Sequence, residues 1–307
     1  METIGRGAGR YAPSPSGRLH IGNLSTALVA WLAARSTGRK FLVRIDNLDR
    51  DRDAGAGPAQ LSDLKLLGLD WDEPAVWQAD RSASYAAAVE KLTAAGLVFE
   101  CFCSRKDILQ APTAPHAPPG AYPGTCRNLS AAEIANKQEQ FGGRNPALRL
   151  RTPAPAQERS FTDALLGRVT GSVDDFVLRR GDGTYAYNLA TVVDDAAAGV
   201  DQVVRGEDLA LSTPRQLVLY DLLGLKAPEY AHVPLVLNKQ GQRLAKRDGA
   251  VTLAELLELG INPSEVLSKM AESLGLSKPG EVVSATQLIS RFEYAKLPKK
   301  PWIFAGL

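Results

Sequence analysis

Arg10-Tyr11-Ala12-Pro13-Ser14-Pro15-Ser16-Gly17-Arg18-Leu19-His20-Ile21-Gly22-Asn23 is the stretch from which the rest of the chain can be read. Two prolines and a glycine make a stiff turn. A histidine and a glycine then open a helical pattern over 23–36, in which Leu24, Ala27, Leu28, Trp31 and Leu32 recur every three or four residues. Gly38 follows as a stop signal. The free N–H groups and partial positive charge of a helix N-terminus favour an anion. His20 and Gly22 therefore sit where a phosphate could rest. Alone, an H-x-G is usually an ordinary loop entering a helix, so the remainder of the chain has to decide.

Working outward, 9–12 reads as a short strand before the turn, and Lys40-Phe41-Leu42-Val43-Arg44-Ile45-Asp46 as a strand after the helix. Strand, helix, strand in this order predicts a βαβ unit and a parallel sheet. Helices are expected at 57–67, 82–95, 130–140, 212–223 and 252–272. Strands are expected at 97–103, 147–151, 172–179, 184–190, 203–205 and 232–237, with turns at 181–183 and 238–242. Residues 273–307 carry no clear pattern. The sheet pattern is interrupted over about 97–190 and then resumes, as when a subdomain is inserted into a doubly wound α/β fold. In such folds ligands sit at the carboxyl ends of the strands. That would bring 10–22, Asp46, Arg205 and the segment around Lys246 to one rim.

Bulk properties narrow the function. The chain has 307 residues, 45% hydrophobic and 23% charged, with a formal net charge of +2. It can bury a large core, and it is not a nucleic-acid binder by overall charge. No apolar run of membrane-spanning length occurs, and 1–9 has no apolar leader region. Three clustered cysteines suit a reducing compartment, the cytoplasm, better than a disulfide framework.

Three constellations carry chemistry. The first joins 10–23 to Lys246-Arg247-Asp248-Gly249-Ala250, a turn-borne pair of cations that could meet the charge gathering on a triphosphate. No G-x-x-x-x-G-K-[ST] and no G-x-G-x-x-G is present. The second could hold a dicarboxylic amino acid. Arg10 and Arg205 offer planar forks for carboxylates, Asp46 an acceptor for an ammonium, and Tyr187 a hydroxyl. The third is Cys101, Cys103 and Cys126, whose thiolates suit a Zn²⁺ that takes four ligands. They flank a Pro-rich loop that a closed metal site would pin. Ligand chemistry alone offers His116, inside that loop, as the fourth donor.

Arg10–Gly17 together with His20-Ile21-Gly22-Asn23 resembles the first signature of class I aminoacyl-tRNA synthetases, in the form used by glutamyl-tRNA synthetases. The usual signature is H-I-G-H, and Asn23 stands in its last place. Lys246–Ala250 resembles the second signature loop. The resemblance spans about 9–260. It implies a Rossmann-like catalytic domain in two halves, 9–96 and 191–250, split by a zinc-bearing acceptor-binding-type subdomain at 97–190 and followed by a short helical part at 251–307. It implies glutamate held by Arg10, Tyr11, Ala12, Pro13, Ser14, Asp46, Tyr187 and Arg205, with Asp46 where the family usually has Glu. ATP, with Mg²⁺, would lie on His20, Gly22, Asn23, Lys246 and Arg247, and His20 and Lys246 would be catalytic. Zinc would be held by Cys101, Cys103, Tyr122 and Cys126. The sequence leaves no room after Ala250 for the family's anticodon-binding module. It therefore resembles the short paralogues that activate L-glutamate and pass it to the queuosine base of the tRNA(Asp) anticodon, and a monomer is expected. A shortened glutamyl-tRNA synthetase charging a tRNA 3′ end, or a non-catalytic synthetase-like binder, are the other readings.

Overall fold

A computed structural model describes residues 7–110, 121–244 and 251–306. His116, Lys246 and Arg247 lie outside the described residues. The first half runs β1 (Ala8–Tyr11), α1 (Ile21–Ser36), β2 (Lys40–Ile45), α2 (Gly57–Leu66), β3 (Val76–Trp77) and α3 (Ser82–Ala94). Next come β4 (Val98–Cys101), α4 (Arg105–Gln110), α5 (Ala131–Gln140), β5 (Ala147–Leu150), β6 (Glu158–Asp163), β7 (Gly167–Ser172) and β8 (Val177–Arg179). The chain continues through α6 (Tyr187–Ala197), β9 (Val200–Gly206), α7 (Thr213–Leu223), β10 (Glu229–Val233) and β11 (Val236–Leu237). It closes with α8 (Leu253–Glu258), α9 (Pro263–Ser273), α10 (Ala285–Ile289) and β12 (Trp302–Ile303).

The main sheet has the order β3-β2-β1-β9-β10-β6-β7 and is parallel except for its β6–β7 hairpin. From β1 the chain moves first to β2 on one side and later returns to β9 on the other. The order therefore reverses between β1 and β9, and a crevice opens there beyond the strand ends. The expected doubly wound parallel sheet is the fold observed. Helix α1 is buried on nearly every side, including Leu24, Leu28, Trp31 and Leu32. A helix apolar all round belongs in a core, and each fully buried leucine contributes about 1.5–3 kcal/mol. Among the described residues, no helix is long and apolar enough to cross a membrane.

Several expected elements differ, each for a local reason. Residues 187–197 form helix α6 instead of continuing the alternating run from Thr184; only Tyr185 keeps a bridge, to Arg179. Helical spacing lets Leu189, Ala190, Val192 and Asp195 all turn inward. The strand expected over 232–237 splits at Pro234, which has no N–H for a ladder. The expected strand over 172–179 opens at Asp174 and Asp175, whose carboxylates accept N–H groups from Tyr122 and Thr152. The long helix over 252–272 breaks at Gly260, with φ of 82°, and restarts at Pro263 under an Asn262 cap. Within the expected interruption, β4, β5 and β8 make a separate three-stranded antiparallel sheet, whereas β6 and β7 join the main one.

Candidate active site and metal centre

The crevice at the β1/β9 reversal is a cleft of about 790 Å³. Its wall includes Arg10, Tyr11, Ala12, Pro13, Ser14, His20, Gly22, Asn23, Asp46, Tyr187 and Arg205. Every described residue assigned to glutamate or ATP thus faces one space, although they come from β1 and the loop after it, the start of α1, the end of β2, α6 and β9.

The loop between β1 and α1 is held in place by its neighbours. Asp46 N donates to Pro13 O at 2.9 Å and Ala54 N to Pro15 O at 3.0 Å. From α2, the buried Gln60 Nε2 donates to Ser14 O at 3.0 Å and Gly17 O at 2.7 Å. His20 is itself the N-cap of α1. Its Nδ1 accepts the Asn23 N–H at 3.2 Å, and Asn23 Oδ1 accepts the His20 N–H at 3.3 Å. Asn23 therefore closes a reciprocal capping box. With Nδ1 accepting, the neutral ring carries its proton on Nε2, a donor for an anion at the helix end. Burial, with the Arg243 charge, lowers the His20 pKa and keeps the ring neutral. A Cβ at Gly22 would lie 2.9 Å from His20 Cε1, so any larger residue there would push the imidazole from its place.

The glutamate-type groups rest on a buried ionic network. Arg10 Nε and NH2 each lie 3.3 Å from a carboxylate oxygen of Asp195. Arg44 binds the same Asp195 through NH1 at 2.5 Å and donates from Nε to Asp46 Oδ1 at 2.8 Å. Arg44 NH2 has no hydrogen-bond partner among the described residues. Burial raises the Asp46 pKa, and Arg44 and Arg10 oppose it without cancelling it. For Asp195 burial also acts upward, but Arg10 and Arg44 outweigh it and its pKa falls. Arg205 donates to Tyr187 Oη at 3.1 Å, Thr213 Oγ1 at 2.8 Å and His232 Nε2 at 3.0 Å.

Sequence reasoning passed over Arg44, Asp195 and His232, each of which touches an assigned residue. A charged residue in an otherwise apolar strand or helix face was the available signal. It also passed over Arg243, which lines the cleft and pairs with Asp208 at 2.8 Å. The pair of cations expected nearby, Lys246 and Arg247, falls in a segment outside the described residues.

The three cysteines come together, with all three Sγ atoms within 4.8 Å of one another. Cys103 and Cys126 Sγ are 3.6 Å apart. Tetrahedral Zn–S bonds of about 2.3 Å place sulfurs roughly 3.8 Å apart, so the set fits zinc. Tyr122 Oη lies beside the cluster, 3.5 Å from Cys101 Sγ, and accepts the Cys126 N–H at 2.7 Å. Burial disfavours the Cys101 thiolate, but hydrogen bonds from Tyr122 and the Cys103 backbone, with Arg149, lower its pKa overall. Burial and the adjacent sulfurs push Cys103 up to about 12, the strain of packed thiols that a divalent cation relieves.

A family model for the catalytic domain of class I tRNA synthetases (E and Q) matches residues 8–306. The chain belongs to this synthetase family. Among curated relatives, this synthetase is 59% identical to the glutamyl-Q tRNA(Asp) synthetase of Nocardia farcinica, over 98% of this chain and 94% of the relative. It is 50% identical to the glutamyl-Q tRNA(Asp) synthetase of Cutibacterium acnes, over 92% of this chain and 80% of the relative. Among solved structures, glutamate-tRNA synthetase from Elizabethkingia anophelis superposes with a TM-score of 0.82 at 25% identity, covering 98% of this synthetase and 68% of that chain.

Proposed function

We propose that the protein activates L-glutamate with ATP and transfers the glutamyl group to the queuosine base in the anticodon of tRNA(Asp). The observation that carries this reading is the meeting of two carboxylate-binding arginines, Arg10 and Arg205, with the His20-capped end of α1 in one cleft. The near full-length likeness to the Nocardia farcinica enzyme supports the same acceptor and disfavours a shortened 3′-end synthetase or a non-catalytic binder.

Glutamate's carboxylate oxygen bonds to the α-phosphorus of ATP, and the bond to the bridging oxygen breaks to release pyrophosphate. Arg10, Arg205 and Tyr187 hold the amino acid, with Tyr11, Ala12, Pro13 and Ser14 as its floor and Asp46 facing its ammonium. His20 Nε2–H, Lys246 and Arg247 stabilise charge developing on the phosphates, and Gly22 and Asn23 shape the ATP end. Mg²⁺ travels with ATP. Positioning and electrostatics supply most of the rate. A hydroxyl of the modified nucleoside then attacks the acyl carbon and AMP leaves. Labelled glutamate should enter bulk tRNA only when queuosine is present, and nuclease digestion should place the label in the anticodon fragment. Label on the 3′-terminal nucleotide, or equal transfer without queuosine, would refute the acceptor.

Cys101, Cys103, Cys126 and Tyr122 are proposed to hold one structural zinc that pins the segment between them, in keeping with a cytoplasmic, reducing setting. Protein grown in zinc-replete medium should contain about one zinc per chain, and Cys126→Ser should lower that content. Metal analysis finding none in the parent protein would rule the site out.

A further inference from the structure

Strands β9, β10 and β6 lie side by side, and their carboxyl ends carry Arg205, His232 and Asp163. Arg205 and His232 are in register, and Tyr230, two residues before His232, is in register with Asp163. All three side chains are buried. Arg205 Nε is 3.0 Å from His232 Nε2, and His232 Nδ1 is 2.6 Å from Asp163 Oδ2. A guanidinium can only donate, so Nε2 is the unprotonated nitrogen and Nδ1 carries the proton toward Asp163. The other carboxylate oxygen, Asp163 Oδ1, is occupied by the backbone N–H groups of Leu165, Leu166 and His232, at 2.9, 3.0 and 3.2 Å. The carboxylate therefore has one oxygen for the backbone and one for the ring.

We infer that Asp163 and His232 are positioning residues for the amino-acid site: Asp163 sets the His232 tautomer, and His232 sets the orientation of Arg205. The inference rests on the glutamate-site reading. His232 and Thr213 fix the Nε and NH2 sides of the guanidinium. The NH1 side is left with Tyr187, and both residues line the cleft. Burial lowers the His232 pKa; Asp163 opposes this, while Arg205 and Arg10 add to it, and the ring stays neutral. Tyr230 stacks on the ring, with its centroid 6.0 Å away at 9°, and Phe161 lies across it. A carboxylate that sets a histidine tautomer for a neighbouring group is a known device of hydrolase triads. Here it would serve substrate orientation. Hairpin β6–β7, paired with β10, brings Asp163 to this position.

Asp163→Asn is the decisive variant. Its amide oxygen remains with the three backbone N–H groups, so the amide NH2 must face His232 Nδ1. The ring proton then moves to Nε2 and opposes the Arg205 N–H. The expected result is a rise of about tenfold or more in KM for glutamate in ATP–pyrophosphate exchange, with KM for ATP nearly unchanged. Nitrogen NMR of the rings, simple with three histidines in the chain, should show the protonated nitrogen switching from Nδ1 to Nε2. His232→Gln keeps an acceptor opposite Arg205 and should retain most glutamate affinity, whereas His232→Asn should behave like Asp163→Asn. A parent ring protonated at Nε2 would overturn the inference, as would an Asp163→Asn enzyme with unchanged KM for glutamate, or a Gln variant no better than Asn. The parent spectrum decides the tautomer even if a variant fails to fold. Absence of glutamate-dependent exchange in the parent would instead refute the functional reading and leave the tautomer result standing.

Discussion

Lys246→Ala should lower glutamate-dependent ATP–pyrophosphate exchange by roughly 10²–10³-fold, the loss typical of removing one charge-stabilising donor from a reaction centre. As glutamate attacks, negative charge gathers on the α-phosphate and on the departing pyrophosphate. The His20-capped helix end can meet one side of that charge with Nε2–H and the first backbone N–H groups. On the proposed reading the opposite side takes a cation, which Lys246, in the segment that resembles the second signature, would supply. Interactions made only in the transition state act on turnover more than on substrate binding. The loss should therefore fall on kcat, with KM for glutamate little changed. Exchange at the parent rate in this variant would remove Lys246 from the reaction and sink the assignment of the loop.

Asp195→Ala should cost about 3–5 kcal/mol of folding stability, read from urea denaturation, because it leaves buried charge uncompensated. Asp195 is 1% exposed and is shared by the guanidiniums of Arg10 and Arg44. Asp46 and, at 3.7 Å, Asp194 would remain beside Arg44, but among the described residues no other ion pair reaches Arg10. For a chain of this size the melting temperature should fall by roughly 5–8 °C. Asp195→Asn, which keeps the shape and an acceptor, should cost less. The pH dependence has a definite sign. The folded pKa of Asp195 lies below its ordinary 3.8, so its contribution is present above that value and is lost as pH falls through the folded one. The parent should lose this share of stability in acid, and Asp195→Ala should not. A change below about 1 kcal/mol in the alanine variant would show that the network does not hold the site.

These two experiments probe different kinds of residue. Lys246 stands out in the sequence only through the resemblance of Lys246–Ala250, taken together with 10–23, to a synthetase signature; a Lys-Arg-Asp-Gly turn by itself is usually a solvated turn. Asp195 does not stand out, because its meaning depends on β1 and β2, far away in sequence, bringing Arg10 and Arg44 to it. Cys101, Cys103 and Cys126 could be grouped by ligand chemistry, yet the choice between His116 and Tyr122 could not be made from chemistry alone. The structure sets Tyr122 Oη beside Cys101 Sγ and the Cys126 N–H, whereas His116 lies outside the described residues.

The sequence determined the local grammar. The proline-stiffened turn, the stop at Gly38, the apolar spacing of α1 and the βαβ order all follow from interactions within a few residues, where steric and hydrogen-bonding rules act directly. It also singled out Arg10, Asp46 and Arg205, but not their buried partners Asp195, Arg44 and His232. The tertiary structure alone decided how they meet. Pairing β6 beside β10 brought Asp163 to His232, and the turn of α6 in place of a strand brought Asp195 under Arg10 and Arg44. Those contacts join segments 69 to 185 residues apart. No neighbour along the chain carries them, because burial in a shared low-dielectric space is what gives such charged pairs their partners.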